Sequence, residues 1–130
     1  MFYLTVSFLR ASDNLQYLAG YRQKVSHPIE KVMCDMLLAH RDFVDRSNDT
    51  AQRLFANAYA SLRGQDGMLA KYLRVFCLVY IGLLRRDLSQ AAVHSRHGLT
   101  IKVPRSAKRL FPLPDLEGKV LYQNSIEAIG

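Results

Sequence analysis

From Met68 to Leu84 the chain is apolar on nearly every helical face, with only Lys71 and Arg74 charged, before the Arg85-Arg86 pair closes the segment. A helix of this kind has no face for water, so other elements must cover it on all sides. Its longest uninterrupted apolar run, Val75 to Leu84, is ten residues, against the roughly 20 needed to cross a bilayer. The segment therefore predicts the central helix of a bundle, with Arg85 and Arg86 at the negative end of its dipole.

Other helices are predicted around it. Asp13 and Gln16 have the spacing of a capping box, and Leu15, Leu18, Ala19 and Val25 then form one apolar stripe. His27-Pro28 breaks that helix and opens another, because the residue before proline avoids the α region while proline suits the first helical position. Ile29, Val32, Met33, Met36, Leu37, Phe43 and Val44 make the clearest amphipathic stripe in the chain, interrupted at one position by His40. Ser47-Asn48-Asp49 caps a third helix, whose stripe of Ala51, Leu54, Phe55, Ala58, Tyr59 and Leu62 runs to Gly64. Leu88 to Val93 reads as a short further turn before Gly98.

Three segments suggest strands. Phe2, Leu4, Val6 and Phe8 alternate with Tyr3, Thr5 and Ser7 over residues 2–9, Leu99 to Val103 alternates with Lys102 exposed, and Lys119 to Gln123 is a third candidate. Pro112 and Pro114 mark 104–118 as a basic loop or extended arm. The expected fold is thus mainly α: a single domain over 1–130, with a four-helix core and a small antiparallel β-sheet from 2–9, 99–103 and 119–123. If the first and last strands pair, the arm projects from the sheet beside the Arg85-Arg86 helix end. No internal repeat is visible in the sequence.

Charge is unevenly distributed. Residues 1–70 hold eight Lys/Arg and seven Asp/Glu, whereas 71–109 hold nine against Asp87 alone. This asymmetry favours a polyanion or an acidic partner, since a cluster of like charges repels itself until an anion relieves it. Apolar residues at 49% and few glycines and prolines exclude a disordered or fibrous chain. Cys34 and Cys77 lie within apolar helical patterns without paired spacing, which suits buried thiols in a reducing compartment. The apolar start has no basic residue ahead of it and is interrupted by Thr5 and Ser7, unlike a signal peptide, so a cytoplasmic location is expected.

Candidate chemistry is sparse. His40 reads as a core histidine bonded to a neighbouring helix, with no nucleophile or metal ligand three or four residues away. His94 and His97 can share a face, but two nitrogens in a basic segment do not make a metal site. Asp42, Asp45 and Asp49 have Arg46 and Arg53 at helical ion-pair spacing and read as a solvated ladder. Tyr17, Tyr21 and Tyr72 are candidate stacking platforms, whereas Tyr59 and Tyr80 fall on core stripes. The Ser26-His27-Pro28 junction is a poor helix-turn-helix, because the helix after it carries Glu30, Asp35, Asp42 and Asp45, which repel phosphate.

These features lead to a non-enzymatic nucleic-acid-binding accessory or regulatory protein, without cofactor or metal. Arg85, Arg86, Arg96, Lys102, Arg105, Lys108 and Arg109 would contact the phosphates of DNA or RNA. The alternative is a protein-interaction module whose basic arm docks an acidic protein partner, anchored by Leu110-Phe111-Pro112-Leu113-Pro114. A homodimer is compatible with both.

Overall fold

The apolar segment becomes the helix around which the others pack. The structure, a computed structural model, describes residues 6–13 and 15–116. Its helices are α1 (Val6–Ser12), α2 (Leu15–Lys24), α3 (Pro28–Val44), α4 (Asn48–Leu62), α5 (Met68–Leu84), α6 (Leu88–Leu99) and α7 (Arg105–Leu110). In α5, Tyr72, Leu73, Phe76, Cys77 and Val79 are among the buried residues. The stripes of α3 and α4 also pack inward, burying Ile29, Val32, Met33 and Met36 from one and Ala51, Phe55, Ala58 and Leu62 from the other. Among the described residues, no helix is long and apolar enough to cross a membrane.

The expected β-sheet is not there: among the described residues all regular structure is helical. Residues 6–9, expected in the first strand, lie in α1, where Phe8 is buried and packs near the Tyr21 ring at 6.4 Å. Alternation over so short a run fits either period, and a strand also needs a partner for its backbone ladder. The expected partner at 99–103 is already used. Leu99 ends α6, and the N–H groups of Thr100 and Ile101 donate back to the carbonyls of His97 (3.2 Å) and Gly98 (3.1 Å). The alternation there is real, with Ile101 buried and Lys102 exposed, but it belongs to a helix end. The third candidate, 119–123, lies outside the described residues.

Two further expectations change. The short turn after Asp87 is a twelve-residue helix, α6, whose first turn is capped by the Asp87 carboxylate accepting from the Gln90 N–H at 3.1 Å. The segment expected as a loop or arm starts as helix α7 and then packs down. Phe111 is fully buried against Phe76, with ring centroids 5.5 Å apart. Tyr72 donates its hydroxyl to the Phe111 carbonyl at 2.7 Å, and Ser95 donates to the Pro114 carbonyl. Pro112 and Pro114 do prevent helix beyond residue 111, but by then the chain is already anchored.

A repeat unreadable in the sequence organises α3 to α6. Shifting α3–α4 by forty residues superposes them on α5–α6 in their burial pattern. Val32, Met33, Met36 and Ala39 correspond to Tyr72, Leu73, Phe76 and Val79, and Ala51, Phe55 and Ala58 to Ala91, Ser95 and Gly98, all of them buried. The two connecting turns are also alike. Arg46 and Arg86 both take positive φ, 64° and 59°. In each, the N–H of the next residue donates to a carbonyl five residues back: Ser47 to Asp42 and Asp87 to Gly82, both at 2.8 Å. The N–H groups of Arg46 and Arg86 donate to Phe43 and Leu83, both at 3.1 Å. This is the two-bond closure that most helices make with glycine in the left-handed position. Here arginine occupies it twice.

Each helix packs mainly on the next, α3 on α4, α4 on α5 and α5 on α6, while α3 meets α5 only slightly. The result keeps the expected helical core and arranges it as a row of hairpins, like a short solenoid with a period near 40 residues. His40 and Tyr80, equivalent positions in the two units, bond to each other through Nε2 and the hydroxyl at 3.3 Å.

Candidate functional site: a basic edge

A row of antiparallel helices has two edges, each made of the connections and the helical turns beside them. The α1–α2, α3–α4 and α5–α6 connections form one edge. The α2–α3, α4–α5 and α6–α7 connections form the other. Close contacts fix this assignment. A Cβ on Gly82 would meet Ala91, and one on Gly98 would meet Val75, so α5 and α6 are antiparallel. Arg74, near the start of α5, donates through Nη1 to the carbonyls of Leu62 (2.8 Å) and Gln65 (2.7 Å), which joins it to the end of α4. Arg22 of α2 forms a two-pronged pair with Asp35 of α3, at 2.5 and 3.1 Å, and the pairing raises the guanidinium pKa. Phe111 places the end of α7 by Tyr72 and Phe76, in the first half of α5.

Sorting the charged residues by edge separates them sharply. The first edge carries Arg10, Arg41, Arg46, Arg85 and Arg86 against Asp13, Asp42, Asp45, Asp49 and Asp87, which balance. The second carries Arg22, Lys24, Lys31, Arg63, Lys71, Arg96, Lys102, Arg105, Lys108 and Arg109 against Glu30, Asp35, Asp66 and Asp115, with Asp35 paired to Arg22 and Asp115 beside Arg96. Most of these cations are exposed, and from Leu88 to Pro114 there is no acidic residue. Helices packed 8–10 Å apart make this edge roughly 20–30 Å long.

The seven basic residues expected to act together are therefore divided. Arg96, Lys102, Arg105, Lys108 and Arg109 meet on the basic edge. Arg85 and Arg86 lie at the opposite end of α5, roughly 14 Å from Phe76 along the helix axis at 1.5 Å per residue. The arm consequently does not sit beside the Arg85-Arg86 helix end. In exchange the edge gains Arg22, Lys24, Lys31 and Arg63 from residues 1–70, whose net charge is near neutral, and Lys71 from the start of the basic half. Their signal was available in part, because Lys24 and Arg63 fall at or just after the end of a helix, where the dipole favours cations. The apolar anchors of the arm are used internally: Phe111 is buried, and Leu110 and Leu113 pack against the core.

The remaining candidates resolve simply. Tyr72 is buried, so it is no stacking platform. His94 pairs with Gln90 of its own helix at 3.0 Å, and Asp42 meets Arg41 at 3.5 Å. Among the described residues no group of three or more His, Cys, Asp or Glu side chains is placed to hold a metal ion. Cys34 and Cys77 are free and buried, and burial pushes both thiols up, Cys34 to about 12, so they stay protonated at neutral pH.

His40 sits among the rings of Phe43, Phe76 and Tyr80, and burial lowers its pKa. The unfolded chain then binds a proton more readily than the folded one. The contribution of neutral His40 to stability is present above its unfolded pKa near 6.5 and is lost as pH falls through the lower folded value. Thermal melts between pH 7.5 and 5 should show wild type losing midpoint temperature more steeply than His40→Gln. Parallel slopes would contradict this account.

Compared with known protein families, curated proteins and solved structures, the chain matches none of them.

Proposed function

We propose that this protein is a non-enzymatic nucleic-acid-binding accessory or regulatory protein that holds the phosphate backbone of DNA or RNA along its basic edge. One observation carries the reading: folding gathers ten cations and four acids at one edge and leaves the other balanced. Gathering like charges costs self-repulsion, and a polyanion lying along the row relieves it. A single strand carries one phosphate per roughly 3.4 Å, so a row of 20–30 Å faces about six to nine of them. The contacts expected are sequence-tolerant, since phosphate contacts position a backbone without reading bases. Docking of an acidic protein through the Leu110 to Pro114 anchors is less favoured, because the protein's own core takes up those side chains.

The test is fluorescence polarisation with labelled single- and double-stranded DNA and RNA across a salt series. For duplex DNA, log K should fall linearly with log salt, with a slope of about −0.9 per phosphate neutralised. Changing Lys102, Arg105 and Lys108 together to alanine should flatten that slope by roughly 2.7. Changing Arg85 and Arg86 to alanine should leave it close to wild type. Absence of salt-dependent binding, or an Arg85/Arg86 effect equal to that of the triple variant, would overturn the assignment.

A further inference from the structure

A cleft of about 410 Å³ lies on the α1–α2 hairpin, lined by Arg10, Tyr17, Tyr21, Lys24 and Val25. Tyr17, Tyr21 and Lys24 belong to α2, at helical spacings that place them in one stripe, Val25 follows its end, and Arg10 closes the cleft from α1. The volume falls within the range of small-ligand sites. Its lining is unusual for a surface hollow: two phenol rings between two cations, with a single aliphatic residue.

The rings differ in their freedom. Tyr17 is 56% exposed, so its face is open. Tyr21 is held, its hydroxyl donating to Glu30 Oε2 at 3.3 Å and its ring tilted against Phe8. Glu30 is thus engaged by the ring it fixes. Lys24 lies on the basic edge, whereas Arg10 and Tyr17 lie toward the balanced one. Tyr17 to Lys24 spans about 10 Å along the helix. The cleft therefore leads off the basic edge and across the face of the hairpin.

From this geometry we infer that the α1–α2 cleft is a binding site for unpaired nucleotides, with bases stacking on Tyr17 and Tyr21 and phosphates meeting Arg10 and Lys24. This rests on the reading of the basic edge as a nucleic-acid surface and adds a selectivity that the edge lacks. Phosphate contacts alone do not distinguish a single strand from a duplex, but a ring face does, because only unstacked bases can reach it. A paired duplex would follow the edge and pass the cleft by. A single strand would enter at Lys24 and run over both rings.

The experiment compares a labelled twelve-nucleotide single strand with the duplex of the same sequence, at one low salt concentration. The proteins are wild type, Tyr17→Ala, Tyr17→Phe, Arg10→Ala and the Lys102/Arg105/Lys108 triple alanine variant. Because Tyr17 is exposed, its variants should retain the wild-type helical circular dichroism. Tyr17→Ala should lose about tenfold in single-strand affinity, within the range measured for base–aromatic stacking. Its duplex affinity should be unchanged, and Tyr17→Phe, which keeps the ring, should bind like wild type. The triple variant should weaken on both probes. If Tyr17→Ala binds the single strand like wild type while the triple variant still weakens, the cleft is overturned and the edge stands. If neither probe binds wild type, both are overturned.

Discussion

Replacing Phe76 by alanine should lower the midpoint of thermal unfolding by about 10–20 °C, the largest effect expected of any single side-chain truncation in this protein. The ring is fully buried at the middle of α5 and contacts aromatic groups from four directions. It lies 6.1 Å from Phe55 of α4, 4.7 Å from Tyr80 of its own helix, 6.1 Å from His40 of α3 and 5.5 Å from Phe111 after α7. Truncating a buried phenylalanine costs about 3–5 kcal/mol in transfer and cavity terms, a large share of the roughly 5–15 kcal/mol that holds a domain of this size. Among the described residues Phe111 has no other aromatic ring contact, so its anchor should loosen first. Differential scanning calorimetry of the variant beside Phe43→Ala, a half-buried ring, separates the two roles. Equal midpoints would show that Phe76 is not the hub.

The second large effect concerns a glycine. A Cβ at Gly82 would lie 3.1 Å from the Ala91 Cβ and 3.3 Å from its backbone Cα and N. Backbone atoms of a neighbouring helix cannot swing aside, so Gly82→Val must push α5 and α6 apart, at a cost of about 1–3 kcal/mol for overpacking. Gly20 provides the control. It also lies inside a helix, but a Cβ there meets nothing within 4 Å. Gly20→Ala should therefore stabilise by up to about 1 kcal/mol through helix propensity. Opposite shifts in urea midpoint at unchanged m-value are expected. If both glycines respond alike, close packing does not explain Gly82.

Periodicity and capping were enough to locate most of the helices. The α3 stripe, the Pro28 start and the turn at Ser47-Asn48-Asp49 follow local rules, and α3 and α4 form where the rules place them, whereas α6 runs well past the short turn expected at Leu88 to Val93. At 6–9 and 99–103 the strand reading failed because alternation over four or five residues is also met by one turn of helix, and only tertiary partners decide between them. The repeat was hidden for a different reason. Between 28–59 and 68–99 only Lys31/Lys71, Leu38/Leu78, Arg46/Arg86 and Ala51/Ala91 are identical, and position 46/86 holds arginine where a left-handed turn is usually announced by glycine. What the units share is burial, and burial is common to valine and tyrosine, or to phenylalanine and serine. The charge map was legible as a total but not as a surface, since Lys24 and Arg63 join Lys102 only once the helices alternate in direction.

The serial packing also bears on how the chain reaches this state. Since each helix makes most of its contacts with the next in sequence, few loops of high entropy need to close before packing yields a return. Either hairpin can form first and template the other, in the manner of a zipper that starts at any tooth. Rapid folding, with the α5–α6 unit as the favoured nucleus because it holds the most apolar helix, follows from the order of the helices alone.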